Sequence, residues 1–592
     1  MVDPRRSRGP ASRFDSVVTK RDILSLLDEL TELTILDEGD PQSFRVRAYE
    51  NARRAIENQT DGVVSMSEKE LVALKGIGKG TAAKITEFVS TGRSEKLESL
   101  RAEYPAEFVR LTKIPGIGPK TARRLRDELN IHDLAGLEAA LDQQLLRNLP
   151  GFGAGKEEKI GRGIDQLGLR GKEQRFPISE AWPVATALVG TLESLPAVVR
   201  VRVCGSLRRL RETVADLDIV VATHDPDAVG AHVVGLPIVG EVLGHGSTKT
   251  SFVTAAGLQV DVRVVTPDQF GAAVQYFTGS KAHNVSVRQV ALSQGMTLNE
   301  YGLTSIETGE VIASAAEEDI YRSLGLEWVP PPMREGTGEI EAAATGRLPD
   351  VVTLNDIKGD LHDHTDRSGD GRASLEQMIS AAQEHGFEYL AITDHGINLT
   401  INGVDRAGML KQRQEIQEIQ DRFSDLRILH GCELNIGLDG TVDFDDAFLA
   451  GFDWCVASIH DGFDRPAAEQ TIRLITAMQN PAVNAIGHLS GRMIGRRPGI
   501  AFDMEAVLEA AALTGTALEI NGALERLDAT PEVIRAGIDL GVHFVISTDS
   551  HHPSELRRME WGVANAQRGW LTPDRVVNTW PLNRVLDWIG SV

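Results

Sequence analysis

Through roughly the first 170 residues, apolar side chains recur every three to four positions, the spacing of amphipathic helices, and short glycine turns interrupt them. Near residue 197 the period changes: AVVRVRV (197–203) and LQVDVRVV (258–265) are β-rich runs. WVPPPMREGTGEIEAAATGRLP (328–349) breaks periodicity with Pro and Gly and is expected to be a linker. Beyond it, apolar runs such as LAITDH alternate with amphipathic stretches such as SLEQMISAAQEHG, the α/β pattern. The chain is therefore expected to be multidomain: an all-α front, an α+β middle and an α/β back. Residues 1–18, rich in Arg, Pro and Ser, are expected to form a disordered arm.

Within the helical front one short motif occurs three times, as LKGIGKGTAAKI (74–85), IPGIGPKTARRL (114–125) and LPGFGAGKEEKI (149–160). Each is an apolar residue, a glycine–apolar–glycine turn and a new helix. The pairs Gly76/Gly78, Gly116/Gly118 and Gly151/Gly153 let the backbone approach a ligand, and the following helix offers free N–H groups to an anion. The ligand implied is a phosphate gripped without reading a base. The triplet resembles helix-hairpin-helix motifs that hold DNA by its backbone. Lys84 lies one turn into the helix after the first hairpin; it is either a Schiff-base nucleophile toward a sugar aldehyde or a solvated lysine.

Composition alters the picture where it is uneven. The 592 residues carry a formal net charge of −23, which at face value argues against nucleic acid. Yet residues 1–175 are close to neutral, with 30 basic against 28 acidic side chains, whereas residues 356–592 hold 36 acidic against 20 basic. Ten of the 15 histidines also lie beyond residue 355. Three scattered cysteines give neither a disulfide scaffold nor a thiolate zinc site. There is no signal peptide or apolar run long enough to span a bilayer, so a soluble, cytoplasmic, monomeric protein is expected.

Candidate chemistry is concentrated in two places. In VCGSLRRLRETVADLDIVV (203–221), Asp216 and Asp218 are spaced to point to one face of a strand, and Asp261 on a neighbouring strand completes a three-carboxylate cluster. Such a cluster holds two divalent ions for in-line phosphoryl transfer, and Gly205, Ser206 and the Arg208-Arg209 pair upstream suit a polyphosphate. In the back, metal-competent residues close successive apolar runs: His362 and His364, then His395, Glu433, His460, His488, Asp549 and His551, with Asp370 after the first pair. Ligands repeatedly placed where short strands end are what a barrel builds at its C-terminal face. GRMIGRRPG (491–499) adds Arg492, Arg496 and Arg497 for phosphate contacts.

The middle motifs, GS-x-RR, D-x-D, a later Asp, YFTGS (276–280), Asn284 and LNEYGL (298–303), follow one another as in the family X DNA polymerases, which this chain resembles over residues 19–340. The back resembles the PHP (polymerase and histidinol phosphatase) domain, a distorted (β/α)7 barrel. That resemblance implies a lyase-like helical domain (19–100), helix-hairpin-helix fingers (101–175), a nucleotidyltransferase palm (176–275), a thumb (276–330), a linker (331–355) and a PHP domain (356–592). By resemblance, Asp216 and Asp218 bind Mg²⁺ or Mn²⁺, and Asp261 helps activate a primer 3′-OH. Arg175, Ser206 and Arg209 hold a triphosphate, Tyr276, Phe277 and Gly279 line the sugar pocket, and Asn284 and Arg288 meet the nascent pair. Lys84 falls on the lyase lysine and Arg45 on the 5′-phosphate region. The nine barrel residues bind up to three ions, whether Mn²⁺, Zn²⁺ or Fe²⁺. The family's glycines after the arginine pair and before the first Asp are Leu210 and Ala215 here. The implied activity is dNTP-dependent filling of gapped or nicked DNA, as in base excision repair, with 3′→5′ exonuclease action on 3′ ends or cleavage at abasic sites. The alternative is a DNA-binding PHP nuclease or phosphatase whose polymerase site Leu210 and Ala215 impair.

Overall fold

Capped helices build the front of the chain. In the computed structural model, which describes residues 18–57, 61–112, 114, 116–166, 175–399 and 402–590, the chain divides into two units, 1–166 and 167–592. All but Val18 of the expected arm lies outside the described residues. In the first unit the helix Lys20–Glu38 opens on a Thr19–Asp22 capping box and ends at Gly39 with φ 69°. Its buried face (Ile23, Leu26, Leu27, Leu30) packs against Phe44–Glu57 and its neighbours. The helices Lys79–Thr91, Pro119–Leu129 and Gly153–Gln166 each follow one glycine turn.

The second unit begins with a five-stranded sheet in the spatial order 198–203, 216–223, 259–265, 249–254, 239–245. Strands 216–223 and 259–265 run parallel and the other neighbours antiparallel. A second cluster follows, in which helices 270–278 and 281–293 lie with a three-stranded antiparallel sheet (296–299, 302–305, 311–313). The segment 331–355 is not the bare linker its Pro and Gly content suggests. It contains the helix Glu339–Ala344, and two of its charged residues, Arg334 and Glu339, are buried with partners. Arg334 meets Glu317 at 2.5 Å and the Val329 carbonyl at 2.8 Å, while Glu339 meets His283 at 2.8 Å.

The last part is a parallel barrel of seven strands in sequential order: 359–363, 389–392, 427–435, 454–458, 485–486, 517–521 and 544–547. A parallel bridge between Asp363 and Ser550 brings the last strand back beside the first. Alternation sorts the side chains. Leu390 and Ile392 face the outer helices, whereas Tyr389 and Ala391 join Leu361, Leu429, Val456 and Val545 in a separate interior cluster with Trp454 and Trp580. Apolar residues on both faces of the strands are the mark of a buried parallel sheet.

Candidate active sites

The three hairpins share one construction. The apolar residue between each glycine pair (Ile77, Ile117, Phe152) is buried, and the glycines themselves are exposed. Gly76, Gly116 and Gly151 have φ of 106°, 94° and 80°, which only glycine adopts cheaply. Gly78 and Gly118 cap their helices without a side-chain hydrogen bond, and nothing lies within 4 Å of a Cβ added at either. Beside the first hairpin is a shallow cavity of about 580 Å³ lined by Phe44, Arg45, Tyr49, Lys79, Lys84 and Lys96. Lys84 Nζ donates to the Gly80 carbonyl at 3.0 Å, and Arg45 is 3.3 Å from Glu38.

In the palm, the parallel register sets Asp218 directly beside Asp261, with Asp216 two residues back on the same strand. Burial, then the charges of Asp216 and Asp261, push the Asp218 carboxyl up to about 7. Three crowded carboxylates of this kind fit divalent cations, whose charge would relieve the repulsion. Two partners escaped the sequence reading: Lys249 is 2.6 Å from Asp261 Oδ2, and Gln259 Nε2 donates to Asp261 Oδ1 at 3.4 Å. Gly205 has φ 62°, and a Cβ on it would stand 2.8 Å from Asp218 Oδ2.

Around these carboxylates, Arg209 donates to the Thr278 carbonyl at 2.5 Å and pairs with Glu335 at 3.0 Å, its Nη1 3.3 Å from a Cβ added at Gly279. Arg208 pairs instead with Glu317. Tyr276 and Phe277 pack edge to face, Arg288 lies 5.1 Å from the Tyr276 ring centre, and Asn284 donates to the Tyr276 carbonyl at 2.7 Å. Ser206 lies in the short turn of helix between Gly205 and Arg208. Arg175 is tied to the Thr213 hydroxyl and carbonyl at 2.9 and 2.7 Å. Leu210, with φ 56°, is buried in an apolar cluster with Leu207, Leu527 and Trp561.

At the mouth of the barrel, three groups of ligand-competent atoms adjoin and share members: His364, His395 and His551; His362, His364 and Asp549; His395, Glu433 and His460. Asp370 joins them through His395 at 3.2 Å and His551 at 3.5 Å, and His488 Nε2 lies 3.1 Å from Glu433 Oε1. Burial opposes ionisation of Glu433, but His395, His460 and His362 hold its carboxyl well below the usual range. Burial, then His551 and His395, press His364 down to about 4, so it is neutral and able to donate a lone pair. His362 Nε2, His364 Nε2 and Asp370 Oδ1 are buried without a hydrogen-bond partner. Buried donor atoms left unpaired in a mixed imidazole and carboxylate set fit divalent metal ions. His488 and Asp549 have φ of 27° and 51°, strained backbone of the sort found at functional sites.

Behind this set stand residues that the sequence motifs did not reveal. Glu519 accepts from His362 Nδ1 at 2.6 Å and from the His488 N–H at 2.6 Å. Asn435 Oδ1 is 2.7 Å from His460 Nδ1, Asn521 donates to Asp549 at 3.1 Å, and Asn402 donates to Asp370 at 2.7 Å. Such contacts turn the other imidazole nitrogen toward the centre. Among the three arginines expected at phosphate, Arg496 is exposed. Arg497 donates to the Gly491 carbonyl and stacks 3.7 Å above the Phe463 ring. Arg492 Nε and Nη2 donate to the Arg526 and Leu527 carbonyls, and Nη2 lies 3.7 Å from Glu212, so that side of the guanidinium braces a loop.

Comparison with known proteins follows this layout. Family models match a helix-hairpin-helix domain over residues 18–94, a SAM-like helix-hairpin-helix tandem over 108–163, a DNA polymerase beta thumb over 273–335 and a PHP domain over 360–525. The DNA polymerase/3′-5′ exonuclease PolX of Bacillus subtilis is 38% identical over 570 residues, 96% of this chain and 98% of that protein. A probable phosphatase of Vibrio parahaemolyticus is 28% identical over 38% of this chain and 90% of its own. One from Caldicellulosiruptor saccharolyticus is 27% identical over 34% and 84%.

Proposed function

The chain belongs to the family X DNA polymerases that carry a C-terminal PHP domain, and from that premise we propose that it is a repair polymerase that fills short DNA gaps and trims 3′ ends. The observation that carries this reading is the presence, in one chain, of two separate anionic centres fit for metals and of three phosphate-seeking hairpins.

In the palm, Asp216, Asp218 and Asp261 would hold Mg²⁺ or Mn²⁺, which supply Lewis-acid activation of a primer 3′-OH and of the triphosphate. Asp261, buried beside Lys249, would help a primer hydroxyl lose its proton. Arg209 and the Gly279 turn would meet a triphosphate, and the packed group of Tyr276, Phe277, Asn284 and Arg288 would meet the sugar and base of a dNTP. Leu210 spends its side chain on the apolar core, which supports an intact polymerase site.

In the barrel, His362, His364, Asp370, His395, Glu433, His460, His488, Asp549 and His551 would hold up to three Mn²⁺, Zn²⁺ or Fe²⁺ ions, which lower the pKa of a bound water for phosphoester hydrolysis. Glu519 and Asn435 fix the histidine rings, so the protein's own part is orientation. At the front, the hairpin amides would grip gapped or nicked DNA by phosphate, and Lys84, which lines one cavity with Arg45, would meet a 5′-deoxyribose phosphate. The test is a pair of variants on one gapped substrate. Asp261→Ala abolishes nucleotide addition and leaves 3′→5′ hydrolysis, and His460→Ala does the reverse. Loss of both activities in either folded variant would show that the centres are not independent.

A further inference from the structure

Arg526 reaches the barrel centre from the loop after strand 517–521, and no motif marks it. Its side chain is 19% exposed, and its Nε lies 3.6 Å from Asp549 Oδ2. Its Nη1 is buried without a hydrogen-bond partner. A guanidinium is a poor neighbour for a centre that collects cations, since it repels the ions that the carboxylates attract. The placement is nevertheless firm. Arg492 donates to the Arg526 and Leu527 carbonyls, and Asp528 accepts from the Ser490 N–H and hydroxyl at 2.9 and 2.7 Å.

A guanidinium fixed beside Asp549 with one buried N–H unpaired leaves a donor for an anion to satisfy. An anion shared between metal ions and a planar donor fork is a phosphate.

We propose that Arg526 is a catalytic residue of the barrel centre that donates hydrogen bonds to the non-bridging oxygens of the scissile phosphodiester, most strongly as charge builds on them in the transition state. It forms and breaks no covalent bond. Donors fixed where charge develops are worth about 10²–10³ in rate. The proposal rests on the phosphoester-hydrolysis reading above. It goes further in naming the group that receives the phosphate.

The experiment compares wild type with Arg526→Ala and Arg526→Lys in the full chain, loaded with Mn²⁺. Arg526→Ala should keep its metal content by elemental analysis and its gap-filling rate, and should lose about 10²-fold in kcat for 3′→5′ hydrolysis. Millimolar guanidinium should restore at least part of that loss to Arg526→Ala and nothing to His460→Ala. Calorimetric titration with inorganic phosphate should show binding weakened about tenfold, as expected when a charge-assisted hydrogen bond is removed. Arg526→Lys, which keeps the charge without the fork, should fall between. Hydrolysis within threefold of wild type, loss of metal, or no response to guanidinium would each overturn the proposal. A wild-type protein that hydrolyses no phosphoester would instead overturn the reading beneath it.

Discussion

Single residues matter most where a backbone touches a charge. Gly205 combines a left-handed φ of 62° with a carboxylate oxygen 2.8 Å from where a Cβ would be. Gly205→Ala forces Asp218 to move by several tenths of an ångström and strains the turn that carries Ser206. Metal geometry tolerates little of this, so nucleotide addition should fall about 10²-fold, as small misplacements in a catalytic site do. The 3′→5′ hydrolysis of the same preparation should stay unchanged, and primer-extension and digestion assays on one substrate read both. At this scale the sequence was legible where a residue's type and spacing are themselves the chemistry, as with Asp216, Asp218 and the strand-end histidines. It was silent on Glu519, Asn435 and Lys249, whose value comes from neighbours far away in the chain. Arg492 and Arg526 show the limit: a run of arginines suggests phosphate, yet Arg492 in that run is bound to backbone, while Arg526, outside it, lies beside Asp549.

Elements make a second kind of prediction, because the hairpins work through backbone that must stay uncovered. Gly78 and Gly118 sit at ordinary φ of −83° and −85°, and a new side chain there meets nothing within 4 Å. Gly78→Val or Gly118→Val should therefore leave thermal unfolding nearly unchanged. Each should weaken binding to gapped DNA about tenfold by blocking a charge-assisted hydrogen bond. Fluorescence anisotropy checks the affinity. Gly76→Ala is the contrast: at φ 106°, with the Asn51 carbonyl 3.0 Å away, it should destabilise the first unit by about 1 kcal/mol or more. Periodicity found these helices because each buries one face. It misread residues 331–355 because a Pro- and Gly-rich segment shows no period even when, as with Arg334 and Glu339, its charges are paired in the interior.

At the scale of the second unit, the palm and barrel are joined by a seam that neither pattern announced. Trp182 packs edge to face on Trp561, and Arg568 donates to the Leu210 carbonyl and to Glu212, both at 3.0 Å. Leu210 stands at a left-handed position, and its side chain helps fill the core shared with Leu527 and Trp561, so it belongs to this seam. Glu212 is its electrostatic centre. Burial alone would raise its pKa, but Arg568 and then Arg492 outweigh burial and bring it from 4.5 down to about 2. A carboxylate with a depressed folded-state pKa stabilises the fold above its unfolded value, and that contribution fades as pH falls from 4.5 toward 2. The shift corresponds to about 3 kcal/mol at neutral pH. Glu212→Gln should lose about that much, since it leaves the Arg568 charge buried without its partner. Urea unfolding followed by tryptophan fluorescence should thus give the variant a lower midpoint at pH 7. Wild type and variant should converge as pH drops below 4.5. A gap between them that stayed constant down to pH 3 would mean that Glu212 acts by packing and that its charge does not hold the seam.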